Sequence, residues 1–250
     1  MNDAPRRRTG LVIPSLVAFA AFLAFMSLGT WQIQRKAWKE GLIDTLEHRL
    51  AAEPSALPPT AQWAKLDAAD DEFRRVRFKA TFVPGAQALV YASASALRSD
   101  VSGLGYWIFA PARTAEGVLV VVNRGFVPQD RKDPATRAAG EIAGPVDMVG
   151  AMRWPEARGI FSPADEPAHN LWFVRDPALI AAAKGWGDVA PFYVELEAPE
   201  PPGGLPHPGR LTVRLRNEHL QYAITWYALA IVVVVMFAAW LGHRRQDLSA

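Results

Sequence analysis

The stretch Asn217-Glu218-His219-Leu220-Gln221-Tyr222-Ala223-Ile224-Thr225-Trp226-Tyr227-Ala228-Leu229-Ala230 holds the strongest candidates for chemistry in this chain. On a helix, His219, Tyr222, Ala223, Trp226 and Ala230 recur at i, i+3, i+4, i+7 and i+11 and share one face. A neutral imidazole is a versatile ligand for metal ions and for haem iron. The aromatic and small residues below it could hold a flat macrocycle. The same residue types also collect at a membrane–water boundary, where an apolar body with a polar tip is favoured.

A second group lies in Leu28-Gly29-Thr30-Trp31-Gln32-Ile33-Gln34-Arg35-Lys36-Ala37-Trp38-Lys39. Gln32, Arg35 and Lys39 line one helical face. Arg35, with Arg214 or Arg216 near the other apolar segment, could meet a bound carboxylate or propionate through charge-assisted bonds. Basic residues that snorkel and tryptophans that anchor, such as Trp31, give the same pattern at a bilayer boundary. A third group, Val121-Val122-Asn123-Arg124-Gly125-Phe126-Val127-Pro128, reads as a strand followed by a polar turn. Arg124 could bind an anion or a partner there, or simply help fix the turn, with Gly125 at positive φ. Asp130 and Asp133 read as solvated loop charges.

Other chemistries lack their residues. The chain has no cysteine, which excludes disulfides, thiolate metal sites and cysteine nucleophiles. It shows no Ser-His-Asp signature, no glycine-rich phosphate loop and no His-Glu-x-x-His. His48, His169, His207 and His243 are scattered, without metal-ligand spacing. The formal charge of +2 gives no basis for nucleic-acid binding. These absences argue for a protein that is not an enzyme.

The elements that position the candidates begin with two long uncharged apolar segments, about 11–29 and 222–241. At about 1.5 Å per residue, each can cross a hydrocarbon core about 30 Å thick. The first is too long for a signal-peptide core and no small-x-small site closes it, so it reads as an anchor. The pattern stays helical beyond Trp31 to about Ala51, where Pro54, Pro58 and Pro59 end it. Alternating or continuous apolar runs predict strands at 75–82, 88–91, 105–112, 118–123, 146–152, 171–174 and 192–196. Asp176-Pro177 predicts a capped helix to Lys184. The proline-rich stretches 54–59 and 199–208 read as linkers. The predicted class is membrane α+β, with two transmembrane helices flanking a mainly antiparallel β domain. The expected division is a cytoplasmic tail 1–10, a span 11–31, an α+β body 32–218, a span 219–241 and a cytoplasmic tail 242–250. Arg6, Arg7, Arg8, Arg244 and Arg245 would lie on one side of the membrane, and Arg35, Lys36, Lys39, Arg214 and Arg216 close to it on the other. Charge alone does not fix the orientation, and the short basic tails favour tails inside and body outside by the positive-inside rule.

Five motifs, in order, resemble the surfeit locus protein 1 family of cytochrome c oxidase assembly factors. They are Leu28-Gly29-Thr30-Trp31-Gln32-Ile33-Gln34-Arg35, Phe73-Arg74-Arg75-Val76, Val122-Asn123-Arg124-Gly125-Phe126-Val127-Pro128, Leu171-Trp172-Phe173 with Asp176-Pro177, and the run from Asn217 to Tyr227. The chain departs from the family at Phe126, where tryptophan is frequent, at Ala80, where glycine is common, and at Glu218, where asparagine is frequent. The resemblance implies a haem A-binding chaperone in a bacterial inner membrane, with its main domain periplasmic. It implies His219 as ligand to the haem iron, with Tyr222 and Trp226 against the macrocycle and Arg35 and Arg216 toward its propionates. It also implies the largest oxidase subunit, and the haem A synthase, as partners, for which Trp31, Gln32 and Arg124 are the candidate contacts. A scaffold that docks these proteins without binding haem is the alternative.

Overall fold

Two apolar helices and a run of strands set the architecture. The computed structural model describes residues 10–92, 97–212 and 217–247. Its contacts define two compact units, Met1–Asp44 with Leu215–Ala250, and Thr45–Arg214. Arg6, Arg7, Arg8, Arg214 and Arg216 lie outside the described residues.

The first unit is helical. Helix α1 (Val12–Ala51) contributes all but its last turns, and α4 (His219–Asp247) pairs with it. Both are long and apolar enough to cross a membrane. No charged residue interrupts α1 before Arg35 or α4 before Arg244. With every backbone group bonded inside the helix, such a segment meets the demand of a hydrocarbon interior. The helix of the first segment runs to Ala51 as the sequence predicts.

The second unit is a β body. Helix α2 (Ala68–Asp71) and the strands β1 (Ser55–Ala56), β2 (Arg75–Phe82), β3 (Ala88–Ala92), β4 (Gly105–Thr114) and β5 (Leu119–Pro128) come first. Then follow β6 (Val146–Arg153), β7 (Leu171–Trp172), helix α3 (Pro177–Lys184) and β8 (Val189–Ala198). The order in the sheet is β1-β2-β6-β8-β5-β4-β3-β7. The last residues of β2 also pair with β4, Phe82 opposite Ala112. Strands β2, β6, β8, β5 and β4 therefore close into a ring, which removes the edges an open sheet would expose. The pairings β1–β2, β3–β7 and β5–β8 are parallel and the rest antiparallel, so the sheet is mainly antiparallel as expected.

Side-chain alternation decides what fills the ring. On β2, Val76, Phe78, Ala80 and Phe82 are buried while Arg77 and Lys79 are exposed. Val120 and Val122 of β5 join them, as do Met148 and Met152 of β6 and Phe192, Val194 and Leu196 of β8. The opposite face of β4, β5 and β8 is also covered. Trp107, Phe109, Val121 and Tyr193 pack there with Trp172 and with Ile180 of α3. Double coverage is why 118–122 reads as a continuous apolar run. Asp176 caps α3 through the amides of Ala178 and Leu179, and Gly185 closes it in the left-handed conformation.

Three expectations change. Residues 123–125 do not form a turn after a strand, because β5 runs on to Pro128 with Asn123, Arg124 and Gly125 buried inside it. The polar side chains find partners within the body, so the strand has no need to end. The stretches 54–59 and 199–208 are not free linkers. β1 pairs with β2, and His207 exchanges two backbone hydrogen bonds with Phe126, of 2.8 and 3.0 Å. The ladder at 171–174 covers only Leu171–Trp172, parallel to β3.

Gly125 shows how tightly this strand is held. Its φ is +121°, and a Cβ there would lie 2.2 Å from the backbone carbonyl of His207. Gly85 also has positive φ, but open space surrounds it. Gly125→Ala should cost about 2–5 kcal/mol from backbone strain and overpacking together. Gly85→Ala should cost about 1–2 kcal/mol from the left-handed backbone alone. Chemical denaturation of the two variants should separate them in that order.

Candidate functional site

Two sets of side chains could carry function, one in each unit. In the helical unit, Gln32, Gly29, Phe25, Phe22, Ala18 and Ser15 recur along α1 at alternating steps of three and four. His219, Ala223, Trp226, Ala230, Val233 and Phe237 do the same along α4. Such spacing makes a seam along which two helices pack. Near its His219 end the seam is close. Gly29 is buried, and a Cβ on it would sit 2.6 Å from the Tyr227 ring. Small residues of this kind let membrane helices approach. Thr30 Oγ1 and Tyr227 Oη are 3.2 Å apart, within hydrogen-bonding distance. Trp226 stacks on Phe25 at 5.7 Å between ring centres. Ala223 and Ala230 are fully covered.

His219 is tied into this seam. Its Nδ1 lies 2.7 Å from Oε1 of Gln32. An amide oxygen only accepts, so Nδ1 carries the proton and donates it. In the neutral ring, Nε2 then holds the free lone pair. No described residue bonds Nε2. An outer acceptor that holds one ring nitrogen in this way fixes the tautomer and the ring orientation. Tyr222, one turn along, is 53% exposed.

The sequence placed Gln32 on a face with Arg35 and Lys39, but the structure brings Gln32 to His219. Arg35 is exposed, with its guanidinium 4.1 Å over the ring of Trp38 on the same helix. Trp31 is half exposed. Trp226 shares its ring with Phe25, while Tyr222 keeps its open.

In the β body, Arg124 is buried. It donates to the Gly140 carbonyl at 2.7 Å, pairs with Glu141 at 3.3 Å and lies over Phe82. It clamps the 134–141 segment onto β5 and does not offer its guanidinium to solvent. A pocket of about 510 Å³ adjoins it, walled by Phe82, Pro84, Pro134 and Ile142.

A second buried cluster, absent from the sequence reading, lies on the outer face of the ring. Tyr193 and Glu195 of β8 point the same way, beside Asn123 of β5 and Arg153 of β6. Asn123 donates to Glu195 at 2.9 Å and its Oδ1 accepts from the Gly125 amide at 3.1 Å. Arg153 pairs with Glu72 at 3.0 Å and covers the Phe73 ring. Burial pulls Arg153 down, but Tyr193, Glu195 and Glu72 outweigh it and hold the guanidinium above its ordinary range. Burial pushes the Tyr193 hydroxyl up to about 12, with Arg153 and Arg175 opposing the rise. Alternation within 192–196 was the available signal, since it sets a tyrosine and a glutamate on one face of a strand. Which residues would neutralise them depends on β5 and β6, far away in sequence.

A model of the SURF1 family matches residues 19–231. The chain is 37% identical to a SURF1-like protein of Monosiga brevicollis, over 88% of this chain and 83% of that protein. It is 36% identical to surfeit locus protein 1 of Homo sapiens, over 81% of this chain and 69% of that protein. The Rattus norvegicus protein of the same name is 37% identical, over 81% and 67%.

The charge cluster sets two measurable expectations. Arg153→Ala takes the partner from Glu72 and leaves Arg175 as the remaining cation for the buried Glu195, and should destabilise the body by about 1–3 kcal/mol in chemical denaturation. Tyr193 keeps its proton more tightly folded than unfolded, so its contribution is complete below about pH 10 and is lost as pH rises toward 12. A near-ultraviolet titration of phenolate absorbance should lose its last folded-state step in Tyr193→Phe.

Proposed function

Because the chain belongs to the SURF1 family, a family of cytochrome c oxidase assembly factors, we propose that its part in that assembly is to hold haem A for the largest oxidase subunit. The Gln32–His219 hydrogen bond carries this reading. A histidine that ligates haem iron needs one nitrogen free and a fixed ring plane, and this bond favours both. The residues fit the group: one oriented imidazole, an exposed tyrosine beside it, and an apolar helix pair beyond.

Bound haem would supply an iron centre able to take an imidazole nitrogen. The chain's own residues do the rest. Gln32 holds Nδ1 and aims the ring. Tyr222 offers an open aromatic face, and Trp226, braced by Phe25, supports it from below. Arg35 could reach a propionate by leaving Trp38. Arg216 would be a second such partner. The proposed role is carriage without turnover. The half-exposed Trp31 is the contact we propose for the oxidase subunit or the haem A synthase. The setting we propose is a bacterial inner membrane, with the β body periplasmic and both tails cytoplasmic.

The test uses full-length protein purified in detergent from cells that make haem A. Wild type should show a haem spectrum, and His219→Ala should lose it. Gln32→Leu keeps the ligand but frees the ring, and should weaken haem binding by about 10–100-fold. Unchanged haem content in His219→Ala would remove His219 from the function. If Trp31→Ala kept full haem content but lost the oxidase subunit on co-purification, docking and haem binding would be separate tasks.

A further inference from the structure

The seam between α1 and α4 changes character along its length. From Gln32 to Phe25 it is closed by a hydrogen bond, a buried glycine and an aromatic stack. Further from His219 it opens into a cavity of about 510 Å³ between the two helices. Ala18, Phe19 and Phe22 of α1 line it with Val233 and Phe237 of α4, and Ser15 gives its single polar side chain. Val233 and Phe237 lie on the same stripe of α4 as His219 and Trp226. The opening is therefore a continuation of the His219 face.

A cavity of this kind in a membrane-spanning helix pair is too apolar for water, which needs several polar partners. It suits a slender hydrocarbon chain. About 16 Å of helix separates Trp226 from Phe237, at 1.5 Å per residue. That is a length an extended isoprenoid can follow. Haem A carries a hydroxyethylfarnesyl substituent at its ring edge, which haem B lacks. We propose that the cavity between α1 and α4 receives the farnesyl tail of the haem that His219 ligates. This rests on the haem reading above. Leu16, Phe19 and Val234, each at least half exposed, open one side of the cavity to lipid, and what favours the tail over a membrane lipid chain is that Val233 and Phe237 continue the stripe that carries His219.

The test compares haem O, which has the tail, with haem B, titrated into the full-length apoprotein in detergent and followed by the visible spectrum. Wild type should bind haem O at least tenfold more tightly than haem B. A tail lying free in the micelle would also favour haem O, so filled-cavity variants decide the matter. Ala18→Phe and Val233→Phe should each remove the preference by weakening haem O while leaving haem B unchanged. Val235→Phe, on a side 60% exposed, should keep it. Equal affinities in wild type, or a preference that survives both fillings, would overturn the inference while leaving haem binding intact. A loss of both haems in His219→Ala reports on the ligand alone. If wild type binds neither haem, the haem reading falls and this inference with it.

Discussion

The hydrogen bond from His219 Nδ1 to Gln32 Oε1 is the constraint from which the helical unit takes its register. The rest of the seam is apolar, and apolar contacts alone would tolerate sliding by a turn. A single polar pair does not tolerate it, because a slip would strand an amide and an imidazole without partners. The bond itself is worth only about 1 kcal/mol in such a setting. Its value lies in orientation. It fixes one nitrogen of the imidazole, leaves the other as the lone pair, and sets Gly29 against Tyr227 and Phe25 against Trp226 in the turns below. The opposite end shows the same register, where Arg244 donates to the Gly10 carbonyl.

The β body solves a different problem. Its ring of five strands is filled by apolar side chains, so its interior needs no polar partners. The outer face holds charge. There Arg153 pairs with Glu72 and Asn123 with Glu195, and the Arg153 guanidinium offsets the Glu195 charge across three strands and a loop, with Tyr193 among them. Each group would be costly alone and is tolerable together. The cluster therefore demands that β5, β6 and β8 keep their registers. Gly125 adds to this demand, since no side chain fits where the 207–208 backbone passes.

Much of this was legible from local rules. The alternation in β2, the Asp-Pro cap of α3 and the helical stripe from His219 to Ala230 are all short-range patterns. What escaped was tertiary. Asn123-Arg124-Gly125 looks like a turn because its residues are turn formers, yet partners on β8 and in the 134–141 segment let them stay inside a strand. Gln32 was placed by its helical neighbours with Arg35, whereas its true neighbour is 187 residues away. The alternating three-and-four spacing back from Gln32 to Ser15 was the signal that could have joined it to α4. The seam's opening has no sequence signature, since it arises from which small residues happen to face each other.

The central claim is that Gln32 holds His219 as the tautomer whose Nε2 is free to bind iron. Long-range proton–nitrogen NMR of the His219 ring, in detergent-solubilised full-length protein, tests it most directly. The account predicts a protonated Nδ1 and an unprotonated Nε2 in the apoprotein, with the Nε2 signal alone displaced when haem A is added. A protonated Nε2 with a bare Nδ1, or an Nε2 signal indifferent to haem A, would contradict it.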